Sequence, residues 1–233
     1  MKNKTILEIA VESVAAAQAA ERGGADRVEL CAGLACGGLT PSAEMMRVAL
    51  SALQIPIFAM IRPRAGNFVY TGEEFAAMQR SIELAREMRM DGVVLGILRD
   101  KNSVDVQRTK ELVEQARPMK VTFHRAFDAC DDLLRAMENV IAAGADRILT
   151  SGGEPEVVAG LSALRALVEA ARDRVVIMPG GGITPENFAQ VQEATGAWEF
   201  HSGLGRVMEY GSGDTRSFEN AVRKLAGQRR AAN

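Results

Sequence analysis

GADRVELCAGLACGGLTPS (Gly24–Ser42) is the stretch on which the fold turns. Gly24 is placed to end a helix, and Arg27–Leu30 reads as a short strand. A glycine-rich run then leads into the amphipathic SAEMMRVALSAL. GADRILT (Gly144–Thr150) repeats the helix-to-strand junction, and GGITP (Gly181–Pro185) repeats GGLTP (Gly37–Pro41). In both glycine loops Thr is expected as a helix N-cap and Pro as the first helical residue. Helix, strand, glycine loop, helix is the period of a parallel α/β sheet.

That period recurs along the whole chain. The strand candidates are Thr5–Val11, Arg27–Leu30, Ile57–Ile61, Gly92–Leu95, Lys120–His124, Arg147–Thr150, Val175–Pro179 and Trp198–His201. Between them run stretches such as GEEFAAMQRSIELAREM and VDVQRTKELVEQA, with apolar residues at three- and four-residue spacing. Strict alternation implies right-handed βαβ units. Eight such units in 233 residues predict a single closed (β/α)8 TIM barrel of the α/β class. A doubly wound dinucleotide-binding sheet is disfavoured, because no G-x-G-x-x-G follows the first strand. One domain is expected over residues 1–233, with its core at about 5–225 and a frayed tail, AGQRRAAN.

With 47% hydrophobic and 25% charged residues the composition is that of a soluble globular protein. A net charge of −2 provides no basic field for nucleic acid or an anionic membrane surface. Aromatic residues are too few to suggest stacking platforms for bases. No apolar run approaches the ~20 residues of a membrane span, and MKNKTILEIAVES, broken by Glu8 and Glu12, is no signal peptide. Three cysteines, an odd number, argue for free thiols in a reducing cytoplasm. Barrels commonly assemble through their outer helices, so a homo-oligomer is expected.

Alternate strand residues of a barrel face the helices and the lumen. In KVTFHRAFD, Val121 and Phe123 face the helices, so Thr122 and His124 point inward. The same alternation turns Glu8 inward from strand one, Glu29 and Cys31 from strand two, and Met60 and Arg62 from strand three. Strand eight contributes Glu199 and His201. A chain built only for stability would fill such positions with Val, Ile or Leu, since a buried unpaired charge costs several kcal/mol. The polarity has a structural reading, in which Glu8 or Glu29 pairs with Arg62. It also has a functional one, with His124 as general acid or base and Glu8 or Glu29 as its counterpart.

The barrel mouth is expected to bind anions. CGGLTP, TSGGEP, PGGGITP and HSGLGR bring glycines to four top loops, where backbone N–H groups and helix N-termini meet a ligand. Arg62, Arg64 and Arg125 could supply bidentate contacts to phosphate or carboxylate, with Asp128, Thr150, Ser151, Gly180, Gly181, Gly182, His201 and Ser202 around them. A plainer reading is that these glycines only permit short turns.

RVELC…GGLTPS, IRPRAGNFVY and VTFHRAFD, in that order, resemble the copper homeostasis protein CutC family, and RILTSGG and EFHSG extend the likeness over roughly residues 5–205. The resemblance implies a (β/α)8 barrel, a cytoplasmic location and copper binding. It matches Cys31 to the family's strand-two cysteine. It places Glu8, Glu29, Arg62, Arg64, His124, Arg125, Asp128 and His201 at polar pocket positions. A strand-one cysteine carried by many members is absent here, where the segment reads IAVES.

Two functions from different classes follow. The first is a copper-handling barrel that holds Cu(I), a soft ion, on Cys31 as primary ligand with Cys36 or His124 assisting, Cys130 being three strands away around the ring. The second is a lyase, isomerase or hydrolase acting on a small phosphorylated or carboxylated metabolite. A third arrangement has Glu8, Glu29, His124 and His201 around a harder divalent ion. The expected partner is thus a small anion or a metal ion, without nucleic acid or membrane.

Overall fold

In the computed structural model, residues 4–100, 102–205 and 213–229 are described. The end of the AGQRRAAN tail and Arg206 of HSGLGR lie outside them. The eight parallel strands are β1 (Ile6–Val11), β2 (Arg27–Leu30), β3 (Ile57–Met60), β4 (Gly92–Leu95), β5 (Lys120–Phe123), β6 (Arg147–Thr150), β7 (Val176–Pro179) and β8 (Glu199–Ser202). Eight helices alternate with them: α1 (Val14–Gly23), α2 (Ala43–Ala52), α3 (Gly72–Glu87), α4 (Val106–Ala116), α5 (Leu133–Ala143), α6 (Leu161–Ala171), α7 (Phe188–Thr195) and α8 (Thr215–Ala226). Each expected strand is present, with ends within a residue or so of its sequence reading.

The ring is nearly closed. Parallel ladders join β8 to β1 and run in sequence from β1 to β7. Between β7 and β8 the strands touch, but no ladder joins them among the described residues. That seam is pinned by the Ser202 hydroxyl, which donates to Ile183 O at 2.7 Å. A short antiparallel hairpin, Leu98–Arg99 with Ser103–Val104, lies between β4 and α4. The sequence reading did not contain it.

The repeated GADR junction is a repeat of physical parts. Gly24 (φ 96°) and Gly144 (φ 85°) end α1 and α5 in the left-handed region that favours glycine. Two residues on, the Asp26 carboxylate accepts from Leu7 N–H (3.0 Å), and Asp146 accepts from Val121 N–H (2.9 Å). Each aspartate thus satisfies the N–H of the neighbouring strand's second residue, and each following arginine enters the lumen. The GGLTP expectation needs correction. Helix α2 is capped by Ser42, whose side chain accepts from Met45 N–H, while Thr40 exchanges hydrogen bonds with the backbone of Arg62. Thr184 of GGITP accepts from Glu186 N–H and shapes the turn before α7, whose N-cap is Asn187.

The main core lies between strands and helices, where Leu7, Ile9, Val28, Leu30, Val121, Phe123 and Phe200 are buried. A second, small apolar cluster of Cys31, Phe58, Met60 and Val94 sits apart from it. This division is the inside–outside alternation read from the strands.

Candidate functional site

The lower lumen is filled by ions. Strand register sets Glu8 level with Arg27 on one side and His201 on the other. Arg27 Nε donates to Glu8 and its Nη2 to Glu199 (2.7 Å), while Arg147 Nε also reaches Glu199 (2.8 Å). Both guanidinium groups lie over the Phe58 ring, at 4.8 and 5.1 Å from its centroid. His201 Nδ1 is 2.8 Å from Glu8 Oε1, and its Nε2 is 3.7 Å from Glu29 Oε2. Glu8, Glu29 and Glu199 therefore face Arg27, Arg147 and His201.

Titration follows this layout. Burial alone would raise Glu8, but Arg27 and His201 outweigh it and hold its carboxyl at about 2. Burial works against a charged His201, yet Glu29 and Glu8 raise its pKa above the usual imidazole value. Glu29 is raised, chiefly by burial. The Cys31 thiol, fully buried and 3.5 Å from Glu29 Oε2, is pushed well above the ordinary thiol range by burial and then by that carboxylate.

Above the ion layer opens a cavity of about 430 Å³. Glu29, Arg62, His124, Arg125, His201, Ser202, Gly181 and Gly182 line it, joined by Met60 and Phe68. His124 begins the turn after β5, where its Nδ1 accepts from Ala126 N–H at 3.1 Å. The ring proton of the neutral form must then sit on Nε2. Burial, and next the Arg62 charge, drive the His124 pKa down to about 3, so at neutral pH it is an uncharged donor rather than an acid–base group poised near 7. Arg62 is spread over backbone carbonyls: Cys36 O (2.9 Å), Gly38 O (3.1 Å) and Gly66 O (2.9 Å). Its guanidinium lies 5.0 Å from the Phe68 centroid.

Other expected residues lie elsewhere. Arg64 does not line the cavity; it pairs with Glu74 and donates to Asn67 O (3.0 Å) and Val69 O (2.8 Å). Asp128 is a loop organiser, accepting from Arg125 Nε (2.7 Å), Ser151 N–H, Gly153 N–H (3.1 Å) and the Thr150 hydroxyl. Thr150 and Ser151 are thereby committed to the loop after β6. Gly180 lacks a side chain for packing: a Cβ there would lie 2.4 Å from Leu149 Cδ1. Cys36 is exposed in the Leu34–Cys36 turn, with its thiol donating to Gly33 O at 3.2 Å, and Cys130 is buried by the turn after β5. Sequence reasoning missed Arg27, Arg147, Phe58 and Phe68. The alternation that turned Glu29 inward carries Arg27 with it, so that signal was available.

Comparison with known proteins agrees with this architecture. The CutC family profile matches residues 5–206. The human copper homeostasis protein cutC homolog is 45% identical over 199 residues, covering 85% of this chain and 73% of the relative. A CutC family protein of Chromobacterium violaceum is 44% identical over 98% of this chain and 94% of its own. The crystal structure of CutC from Streptococcus agalactiae superposes with a TM-score of 0.82 at 34% identity, covering 85% of this chain and 98% of that one. With its barrel, its motifs and its relatives in agreement, the chain belongs to the CutC family.

Proposed function

We propose that this protein serves copper homeostasis, the role named for its human relative, by holding Cu(I) on the buried Cys31 thiol, which lies behind Glu29 of the mouth cavity. One observation carries this reading. Cys31 Sγ is 3.5 Å from Glu29 Oε2, which is 3.7 Å from His201 Nε2, so thiol, carboxylate and imidazole are contiguous. Thiolate and imidazole suit a soft monovalent ion. Among the described residues, Glu8, Glu29 and His201 are also the group whose ligand atoms all lie within 4.8 Å of one another. Glu8 is committed to Arg27, which leaves Glu29 as the neighbour able to assist, joined by His201 once its ring gives up the proton that Glu29 and Glu8 favour. Cys36, exposed on the loop that covers Cys31, is a second thiol at the rim.

The reading has a chemical consequence. Because burial and Glu29 keep Cys31 protonated, copper must displace a proton on binding, and the apparent affinity rises up to about tenfold per pH unit. Free thiols of this kind belong to the reducing cytoplasm. Among the described residues no helix is long and apolar enough to cross a membrane. The test is competition for Cu(I) against a strong chelator over a range of pH. Cys31→Ser should lose competition, Cys36→Ser should weaken it less, and a Cys31→Ser variant that competes as well as the parent sinks the proposal.

A further inference from the structure

Arg62 is the lumen arginine without a carboxylate. Arg27 and Arg147 pair with Glu8 and Glu199 below it, whereas the Arg62 guanidinium, 5% exposed, has no carboxylate partner among the described residues. Its Nη groups are bound by neutral carbonyls, and among the described residues its Nε makes no hydrogen bond of normal geometry, its phenol neighbour Tyr70 being equally unpartnered. A buried cation without a counter-charge is costly unless a ligand supplies one. His124, 4% exposed, presents a second unanswered donor, since Nδ1 is occupied by Ala126 N–H and Nε2 has no partner. Both groups line the same cavity, and both pack on Phe68, with centroid distances of 5.0 Å each. The third orphan is an acceptor, Glu29 Oε1. Across the cavity Gly181 (φ 92°) and Gly182 (φ 90°) bring bare backbone to the wall, and a Cβ at Gly181 would lie 3.0 Å from Arg125 Cζ.

We infer that the mouth cavity is a binding site for a small hydroxylated oxyanion, a carboxylate or a phosphate, held by the Arg62 guanidinium and the His124 ring, which turn their unpartnered N–H groups to meet it, with its hydroxyl donating to the Glu29 carboxylate. The cavity, about 430 Å³, is in the range of sites that enclose small ligands. The anion supplies the missing counter-charge, and neutral His124 contributes a donor without adding a second buried cation. This site is separate from copper binding at Cys31, though Glu29 borders both.

The test uses the whole protein, with lactate, propionate and inorganic phosphate as probes at up to roughly 10 mM, read by calorimetry and by the ¹⁵N resonance of His124 Nε2. Binding of lactate or phosphate that shifts this resonance is expected. The tighter probe assigns the source, carboxylate or phosphate. His124→Asn is the informative variant, because asparagine retains an oxygen to cap Ala126 N–H while losing the ring donor. It should weaken the bound probe at least tenfold, and Arg62→Gln should abolish binding. Cys31→Ser should retain it, so failure of the copper reading leaves this one standing. Failure of both lactate and phosphate to bind, or equal binding by His124→Asn, overturns the site. Lactate no tighter than propionate overturns the hydroxyl contact to Glu29.

Discussion

Replacing Arg27 with methionine tests whether the ion layer holds the barrel together. Arg27 bridges Glu8 and Glu199, all three being almost wholly buried. Methionine fills much of the arginine stem but leaves two carboxylates with one cation fewer. Removing one partner of a buried ion pair costs about 3–5 kcal/mol. A second route gives a similar figure. The Glu8 carboxyl is lowered from 4.5 to about 2, and Arg27 supplies the largest lowering. At 1.36 kcal/mol per unit, the shift corresponds to roughly 3 kcal/mol at neutral pH. For a domain of this size the expected fall in Tm is roughly 6–20 °C. The assay is reversible urea unfolding followed by circular dichroism from pH 7 to pH 2. Because the folded Glu8 pKa lies below the unfolded value, its contribution is present above about 4.5 and drains away as pH falls toward about 2. The parent should therefore lose stability across that window more steeply than Arg27→Met, and the gap between them should narrow. A loss at pH 7 below about 1 kcal/mol, the scale of an exposed pair, would refute the reasoning.

Two further outcomes are open to direct measurement. NMR of the two imidazoles should show His124 neutral, with its proton on Nε2, from pH 8 down to about 4, and His201 still protonated above 6.5; a shared midpoint near 6.5 would contradict both assignments. Gly160→Ala should cost more than about 4 kcal/mol, since its Cβ would lie 1.9 Å from Ser151 O; an unchanged Tm would show that the loop after β6 runs elsewhere.

Alternation along short strands was enough to place Glu8, Glu29, Thr122, His124, Glu199 and His201 inside one ring, because a period of two depends on sequence alone. It could not choose partners. Glu8 and Glu29 were weighed against Arg62, yet Glu8 meets Arg27, because pairing depends on depth along the barrel axis and hence on the stagger between strands. Arg64 illustrates a different limit. Four residues beyond the end of β3, past Pro63, the alternation no longer operates, and the side chain turns to Glu74 on α3. The Leu98–Val104 hairpin escaped because strands of two residues each show no periodicity. Phe68 lay in a quoted motif, IRPRAGNFVY, but only the folded loop shows that its ring supports both Arg62 and His124.

A ring laced at seven joints and merely butted at the eighth behaves like a split collar. Between β7 and β8 the Gly180 and His201 walls meet without a ladder, and among the described residues the Ser202 to Ile183 bond acts as the clasp. That joint is therefore the place where the fewest backbone bonds, among the described residues, oppose a change in the width of the bore.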